Sequence, residues 1–173
     1  MKIRLAADLQ TDSIVDGFGI RTVIWTQGCS HNCPGCHNPE TWNFDYGQDM
    51  TWSVYREIIN ELCSSPIQKN LCIMGGEPLH PNNIFDVRIL IEMTKNTCPK
   101  TPIYIWTGYT FEELQEYRRK WHNENFDFII NNIDYLIDGP YKQEERDITL
   151  TMRGSRNQRI INLKNGEIIS IIK

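Results

Sequence analysis

The sequence predicts an α/β fold with a parallel sheet and crossover helices. Short β-branched runs alternate with amphipathic stretches at helical spacing. Each of the first four runs stops at or just before a glycine: Gly28, Gly75, Gly108 and Gly139. The unusual motifs fall just past those stops, at the strand ends where parallel α/β folds gather their ligands.

The elements follow in order. "RTVIWTQ" (21–27) is β-branched and aromatic and reads as a strand. In "TWSVYREIINELCSS" (51–65), Thr51 stands at an N-cap position ahead of Val54, Ile58, Ile59 and Leu62 on one helical face. "NLCIMGG" (70–76) is a second strand. "NIFDVRILIEMTKNTC" (83–98) is a second helix, with Ile84, Val87, Leu90 and Ile91 on one face. "PIYIWTG" (102–108) is a third strand. "TFEELQEYRRKWHNE" (110–124) opens acidic and turns basic, as a helix dipole favours. "DYLIDGP" (134–140) is a fourth strand. "QRIINL" and "EIISII" flank Asn165-Gly166, a hairpin turn.

A chain of 173 residues with 40% hydrophobic and 23% charged content suits one domain spanning 1–173, whose core needs no disulfides. A net charge of −4 argues against non-specific nucleic-acid binding. No secretory h-region stands at the N-terminus, and no window approaches the roughly 18 apolar residues that cross a membrane. A cytoplasmic location follows, where thiols stay reduced. The six cysteines then read as metal ligands plus bystanders rather than a disulfide framework. Cys63, Cys72 and Cys98 read as small buried hydrophobes.

The other three cysteines stand in "QGCSHNCPGCHN" (27–38), with Cys29, Cys33 and Cys36 spaced C-x3-C-x2-C. A Cys3His zinc site would use His31 or His37 as its fourth ligand. Against it, no second ligand pair follows, and His37 adjoins Cys36. Mere burial is a poor account of three cysteines so close together. A four-iron cluster held by three cysteines would leave one iron open to a substrate or cofactor.

The spacing resembles the signature of the radical S-adenosylmethionine (SAM) enzymes. With "DGFGIRTVIWTQGCSHNCPGCHNPETW" (16–42), "GGEPLHP" (75–81), "WTGYTFEEL" (106–114), "YLIDGPY" (135–141) and "RGSRNQRIINL" (153–163), the chain resembles the family that activates anaerobic ribonucleoside-triphosphate reductase. One feature departs from the family's usual pattern: Phe18 replaces a proline. Gly35 stands where many radical SAM enzymes carry an aromatic residue, and the resemblance implies a family that tolerates glycine there.

The resemblance implies an incomplete (β/α) TIM-like barrel of radical SAM type. It implies one [4Fe-4S] cluster per chain, held by Cys29, Cys33 and Cys36. SAM would bind the open iron and meet Gly35, Cys36, His37, Gly75, Gly76, Glu77, Thr107 and Gly108. Glycine there would let backbone approach the methionyl amino group, so Gly76→Val is expected to weaken SAM binding and spare the cluster.

The implied reaction is one-electron cleavage of SAM to a 5′-deoxyadenosyl radical. That radical takes hydrogen from a glycine of the reductase's large catalytic subunit, leaving a glycyl radical. The chemistry belongs to the cofactors, so no catalytic acid or base is implied. An electron donor such as flavodoxin or ferredoxin is implied; a homodimer and a complex with the reductase dimer both stay open. No nucleic acid or membrane partner is expected. His122 reads as a solvated helix residue, and His37 as the histidine nearest the cluster. Each of Arg153, Arg156 and Arg159 reads singly as solvated, while the segment they share is a candidate to close the site or meet the partner. The alternatives are an activase of another glycyl-radical enzyme, a small radical SAM synthase, and a zinc-stabilised binding module without catalysis.

Overall fold

The computed structural model describes residues 3–15, 18–121 and 123–172. His122 lies outside them. The strands are β1 (Arg4–Leu5), β2 (Gln10–Ser13), β3 (Ile20–Thr26), β4 (Gln48–Asp49), β5 (Lys69–Gly75), β6 (Ile103–Trp106), β7 (Tyr135–Asp138), β8 (Arg159–Lys164) and β9 (Glu167–Ile172). The helices are α1 (Trp52–Ser64), α2 (Ile84–Thr97), α3 (Phe111–Trp121) and α4 (Glu124–Asn132). None is long and apolar enough to cross a membrane.

One sheet runs β4-β1-β3-β5-β6-β7-β8-β9, with β2 also paired to β3. The expected parallel strands form its centre: β3 pairs β5 from Ile20↔Lys69 to Thr26↔Gly75, and β5–β6 and β6–β7 are also parallel. The flanks are antiparallel: β8–β9 is the expected hairpin, whereas the antiparallel pairing of β1, β2 and β4, and of β8 on β7, differs from the expectation of a parallel sheet. Tight reversals explain part of this, since a parallel neighbour needs a crossover of a dozen residues or more. At the β8–β9 hairpin, Asn165 (φ 52) and Gly166 (φ 78) take the left-handed conformations of a two-residue turn. The sheet is open and does not close into a barrel.

The two faces are covered differently. On one, Ile24, Ile73, Ile105, Leu136 and Ile161 pack against Tyr55, Ile58 and Leu62 of α1, Leu90 and Ile91 of α2, and Phe126 and Ile129 of α4. On the other, Val23, Cys72, Met74, Tyr104, Ile137 and Ile160 form a second cluster with Trp25, Trp106, Tyr135 and Met152, and no helix contributes to it. The central strands are thus apolar on both sides, which is why they read as continuous hydrophobic runs.

Two helices start on local chemistry. Thr110 and Glu113 form a reciprocal box at α3: Glu113 N–H donates to Thr110 Oγ1 (3.2 Å), and Thr110 N–H to Glu113 Oε2 (2.7 Å). Helix α4 was not expected, because its asparagines and isoleucines are modest helix formers. It forms because Asn123 Oδ1 accepts from Asn125 and Phe126 N–H, while Phe126, Ile129 and Ile130 are buried. Thr51 does precede α1, but its hydroxyl pairs with Ser53 Oγ and not with the helix backbone.

The bystander cysteines need correction. Cys72 is fully buried, as expected. Cys63 is exposed near the end of α1, Cys98 is half-buried just past α2, and the two are joined as a disulfide with their Cα atoms 5.7 Å apart. Their separation of 35 residues hid the pairing from a reading of local context.

Candidate functional site

The cysteine loop leaves β3 and is laid across the end of β5. Gly76 N–H donates to Thr26 O (2.7 Å), and Glu77 N–H to Gly28 O (2.8 Å). Gly28 N–H donates in turn to Thr41 O (2.7 Å), and Cys29 N–H to Trp42 O (3.1 Å), so the segment after the cysteines returns to brace the segment before them. Asn83, buried at the start of α2, donates from Nδ2 to both Gln27 O and Glu77 O. The two glycines are required by this crossing. Gly75 has φ +108, and a Cβ there would lie 2.6 Å from Thr26 O. A Cβ on Gly76 would lie 2.6 Å from Gly28 O. The close approach at this rim is therefore to the protein's own cysteine loop.

Glu77 is the knot of the rim. Its side chain is fully buried. Oε1 accepts from Leu79 N–H (2.9 Å) and Thr107 Oγ1 (2.8 Å); Oε2 accepts from Gly108 N–H (2.8 Å) and lies 2.8 Å from His31 Nε2. One carboxylate thereby joins the cysteine loop to the ends of β5 and β6. The His31 ring rests edge-on against Tyr109, with centroids 4.5 Å apart, and a Cβ on Gly108 would strike it at 2.6 Å. Burial alone would lower the His31 pKa, but the hydrogen bond and charge of Glu77, with the charge of Glu113, raise it.

Over this rim lies a cavity of about 370 Å³. Cys29, Cys33 and Cys36 line it together, with His37, Gly75, Gly76, Thr107 and Gly108. Of the residues that the resemblance assigns to the cluster and SAM, Gly35 and Glu77 are not in the lining. The Gln143 side chain occupies the open side of Gly35, and Gln143 Oε1 accepts from Tyr141 OH (2.8 Å). Glu77 sits behind the wall. His80 is placed away from the cavity lining, its ring on Phe44 at 4.4 Å.

The three thiols are half-buried and free. Desolvation pushes Cys29 up to about 11 and raises Cys33, and the charges of Glu77 and the neighbouring cysteines push the same way. Backbone groups nonetheless address the sulfurs: His31 to Cys29, Tyr141 to Cys33, and Asn38 N–H to Cys36 Sγ at 3.4 Å. Among the described residues, no three His, Cys, Asp or Glu side chains are arranged around a single metal ion. Three soft donors lining one cavity, each met by a backbone group, suit an iron–sulfur cluster better than a one-ion cage.

The far wall was not found from the sequence. It carries Trp25, Met74, Trp106, Leu150 and Met152, and Arg153 also lines the cavity. Trp25 and Met74 are register partners on β3 and β5, so their meeting depends on strand alignment that spacing along the chain does not reveal. Trp106 Nε1 donates to Met152 O (2.9 Å), fixing the loop before β8 to the end of β6.

The three tail arginines separate. Arg156 is solvated and pairs with Asp147 (3.0 Å). Arg153 lines the cavity and donates from Nη1 to Gln158 O (3.2 Å). Arg159 is not solvated: Nε donates to buried Asp138 Oδ1 (3.0 Å), Nη2 meets Asp138 Oδ2, and the guanidinium also reaches Glu112.

A protein family described as a 4Fe-4S single cluster domain matches residues 15–161. The anaerobic ribonucleoside-triphosphate reductase-activating protein of Escherichia coli (strain K12) is 36% identical over 152 residues, covering 87% of this chain and 94% of that protein. The protein of the same name from Haemophilus influenzae is 36% identical over 152 residues, 87% of this chain and 93% of its own. That of Enterobacteria phage T4 is 35% identical over 152 residues, 88% and 90% respectively.

Proposed function

This chain belongs to the anaerobic ribonucleoside-triphosphate reductase-activating protein family and carries its 4Fe-4S single cluster domain; on that premise we propose that it is a radical SAM enzyme that installs a glycyl radical on the reductase. The observation that carries the reading is the cavity in which Cys29, Cys33 and Cys36 face the glycine ends of β5 and β6. When bound there, a [4Fe-4S] cluster and SAM would supply an electron and a 5′-deoxyadenosyl radical able to take hydrogen from a glycine Cα of the large reductase subunit.

The chain's own residues do the holding. Cys29, Cys33 and Cys36 are the cluster ligands, one cluster per chain. Gly75 and Gly76 offer backbone to SAM on one side, Thr107 and Gly108 on another, and His37 flanks the cysteines. Glu77 acts through others, keeping His31 and the Gly108 amide in place. Trp25, Met74 and Trp106 wall the cavity with apolar surface and exclude water, which protects a radical from side reactions. No side chain is needed to move a proton. The whole chain, 1–173, works as one domain in the cytoplasm, with a flavodoxin or ferredoxin as electron donor.

The test is anaerobic reconstitution with iron and sulfide, then addition of SAM, a one-electron reductant and the reductase. A glycyl doublet in the paramagnetic resonance spectrum of the reductase, dependent on all three components, is the expected result. A reconstituted protein that binds a cluster but yields no radical on the reductase would refute the assignment.

A further inference from the structure

The segment 153–159, conspicuous in the sequence for its arginines, does more than lend Arg153 to the cavity. Its other polar side chains turn onto the loop that leaves β7. Gln158 Nε2 donates to Gly139 O (3.0 Å), and Asn157 Nδ2 to Pro140 O (2.7 Å). The fully buried Ser155 accepts on Oγ from Lys142 N–H (3.2 Å). Gln158 Oε1 in turn accepts from Gly154 N–H (2.8 Å) and Ser155 N–H (3.2 Å). The segment is a bracket, and residues 139–142 are what it holds.

Tyr141 stands in the held stretch. Its backbone addresses Cys33. It lines the cavity, with its ring centroid 5.7 Å from that of His37. The ring lies against Gly154, where a Cβ would come within 3.2 Å of Tyr141 Cδ2. Its hydroxyl donates to Gln143 Oε1 (2.8 Å), on the side chain that also fills the space over Gly35. Backbone, ring edge and hydroxyl are therefore fixed before anything binds, which lowers the ordering cost of binding.

The cavity offers a flat ligand another aromatic surface, the wall of Trp25 and Trp106, but the two are not equivalent. Trp25 Nε1 already donates to Gln10 Oε1 (3.4 Å), and Trp106 Nε1 to Met152 O (2.9 Å). An indole has no second donor, so the tryptophans present faces without hydrogen-bonding capacity. Tyr141 instead stands beside His37, and Asn38 follows in the same lining. An adenine has an apolar face and a hydrogen-bonding edge, and a site that orients it serves both.

We infer that Tyr141 is the surface on which the adenine of SAM packs, and that the 154–158 bracket holds this surface beside the cysteines. The inference rests on the function proposed above and adds the residue that meets the nucleoside end of the cofactor. Because the same residue reaches Cys33 through its backbone, the stacking surface keeps its distance from the cluster ligands.

The experiment uses the reconstituted full chain with Tyr141→Leu, which removes the ring, and Tyr141→Phe, which keeps it. Dissociation constants for SAM and for free methionine, which lacks the nucleoside, are read from the change each makes in the paramagnetic spectrum of the reduced cluster. The expected result for Tyr141→Leu is SAM binding weakened by about tenfold, the loss of one base–aromatic stack, with methionine binding and iron content unchanged. Tyr141→Phe should bind SAM like the unmodified protein, since the hydroxyl is turned to Gln143. SAM binding undiminished in Tyr141→Leu overturns the inference. Equal losses for SAM and methionine, or loss of the cluster itself, would assign Tyr141 to the architecture of the loop and overturn it too. So would a selective loss of SAM in Trp106→Leu in place of Tyr141→Leu, which moves the adenine to the tryptophan wall. If the unmodified, iron-loaded protein shows no response to SAM, the functional reading fails first and the stacking surface falls with it.

Discussion

Gly76 and Gly28 touch backbone to backbone: a Cβ built on Gly76 would sit 2.6 Å from Gly28 O and 2.9 Å from Gly28 C. The glycine rim and the cysteine loop are therefore one mechanical unit. This changes what a substitution should do. With the contact assigned to SAM, Gly76→Val would weaken SAM binding and leave the cluster alone. With Gly28 in the way, even Gly76→Ala must displace the backbone one residue before Cys29. Overpacking of this kind costs about 1–3 kcal/mol. The expected outcome is a lower unfolding midpoint together with reduced iron content after reconstitution. Full iron loading with a weakened SAM response would show that the loop yields without moving its ligands.

Glu77→Gln should be more damaging than its isosteric form suggests. Each carboxylate oxygen accepts from a backbone N–H, Leu79 on one side and Gly108 on the other. Either orientation of an amide puts an NH2 against one of them. Loss of a buried charged acceptor costs about 3 kcal/mol. His31→Ala removes one donor and leaves three, so its effect should be smaller. Thermal unfolding of the two apo variants gives the comparison, and equal losses would contradict it.

The cysteines should divide into three groups. Cys29→Ala, Cys33→Ala and Cys36→Ala should each abolish or severely reduce cluster absorption after reconstitution, whereas Cys72→Ala should retain it. Cys63→Ser should also retain the cluster but remove a cross-link, lowering the stability of the oxidised protein by about 2–4 kcal/mol. Adding a thiol reductant to the unmodified apo protein should reproduce that loss. A midpoint insensitive to reductant would mean the bond contributes nothing.

Arg159 gives a pH-dependent prediction. Its guanidinium holds the Glu112 carboxyl below the usual 4.5. A depressed carboxyl contributes stability that is present above its unfolded pKa and lost as pH falls through the folded one. Glu112→Gln should therefore destabilise at pH 7 and make no difference well below pH 4. The Glu112 side chain is 66% exposed, so screening keeps the effect under about 1 kcal/mol. Arg159→Ala should lose far more, about 3–5 kcal/mol, because it strands the fully buried Asp138. Urea titrations at pH 7 and pH 2 separate the two.

What could be read from the sequence was local. C-x3-C-x2-C, the glycines that stop β5 and β6, and the helical faces of α1 and α2 are patterns within a few residues. What escaped reading depends on distant segments meeting. The Trp25–Met74 wall needs the β3–β5 register; Asp138 needs Arg159, and Cys63 needs Cys98. The β8–β9 hairpin was legible from Asn165-Gly166, whereas the other antiparallel flank escaped because β1 and β4 have two residues each, too short for periodicity to show. The Gly-Gly rim was legible as a place of close backbone approach, but not that one neighbour it makes room for is another stretch of the same chain.

The β3–β5 pairing is also strongly non-local. Its rungs run from Ile20↔Lys69 to Thr26↔Gly75, and the segment between the two strands contains the cysteine loop and all of α1. Closing so long a stretch is entropically slow, and the cost falls before the contacts that reward it. The last rung brings Gly28 over Gly76. The platform that supports the thiols therefore exists only where this non-local pairing has formed. Residues 29–36 alone carry the three sulfurs, but a peptide of that loop lacks the strand end that fixes their backbone.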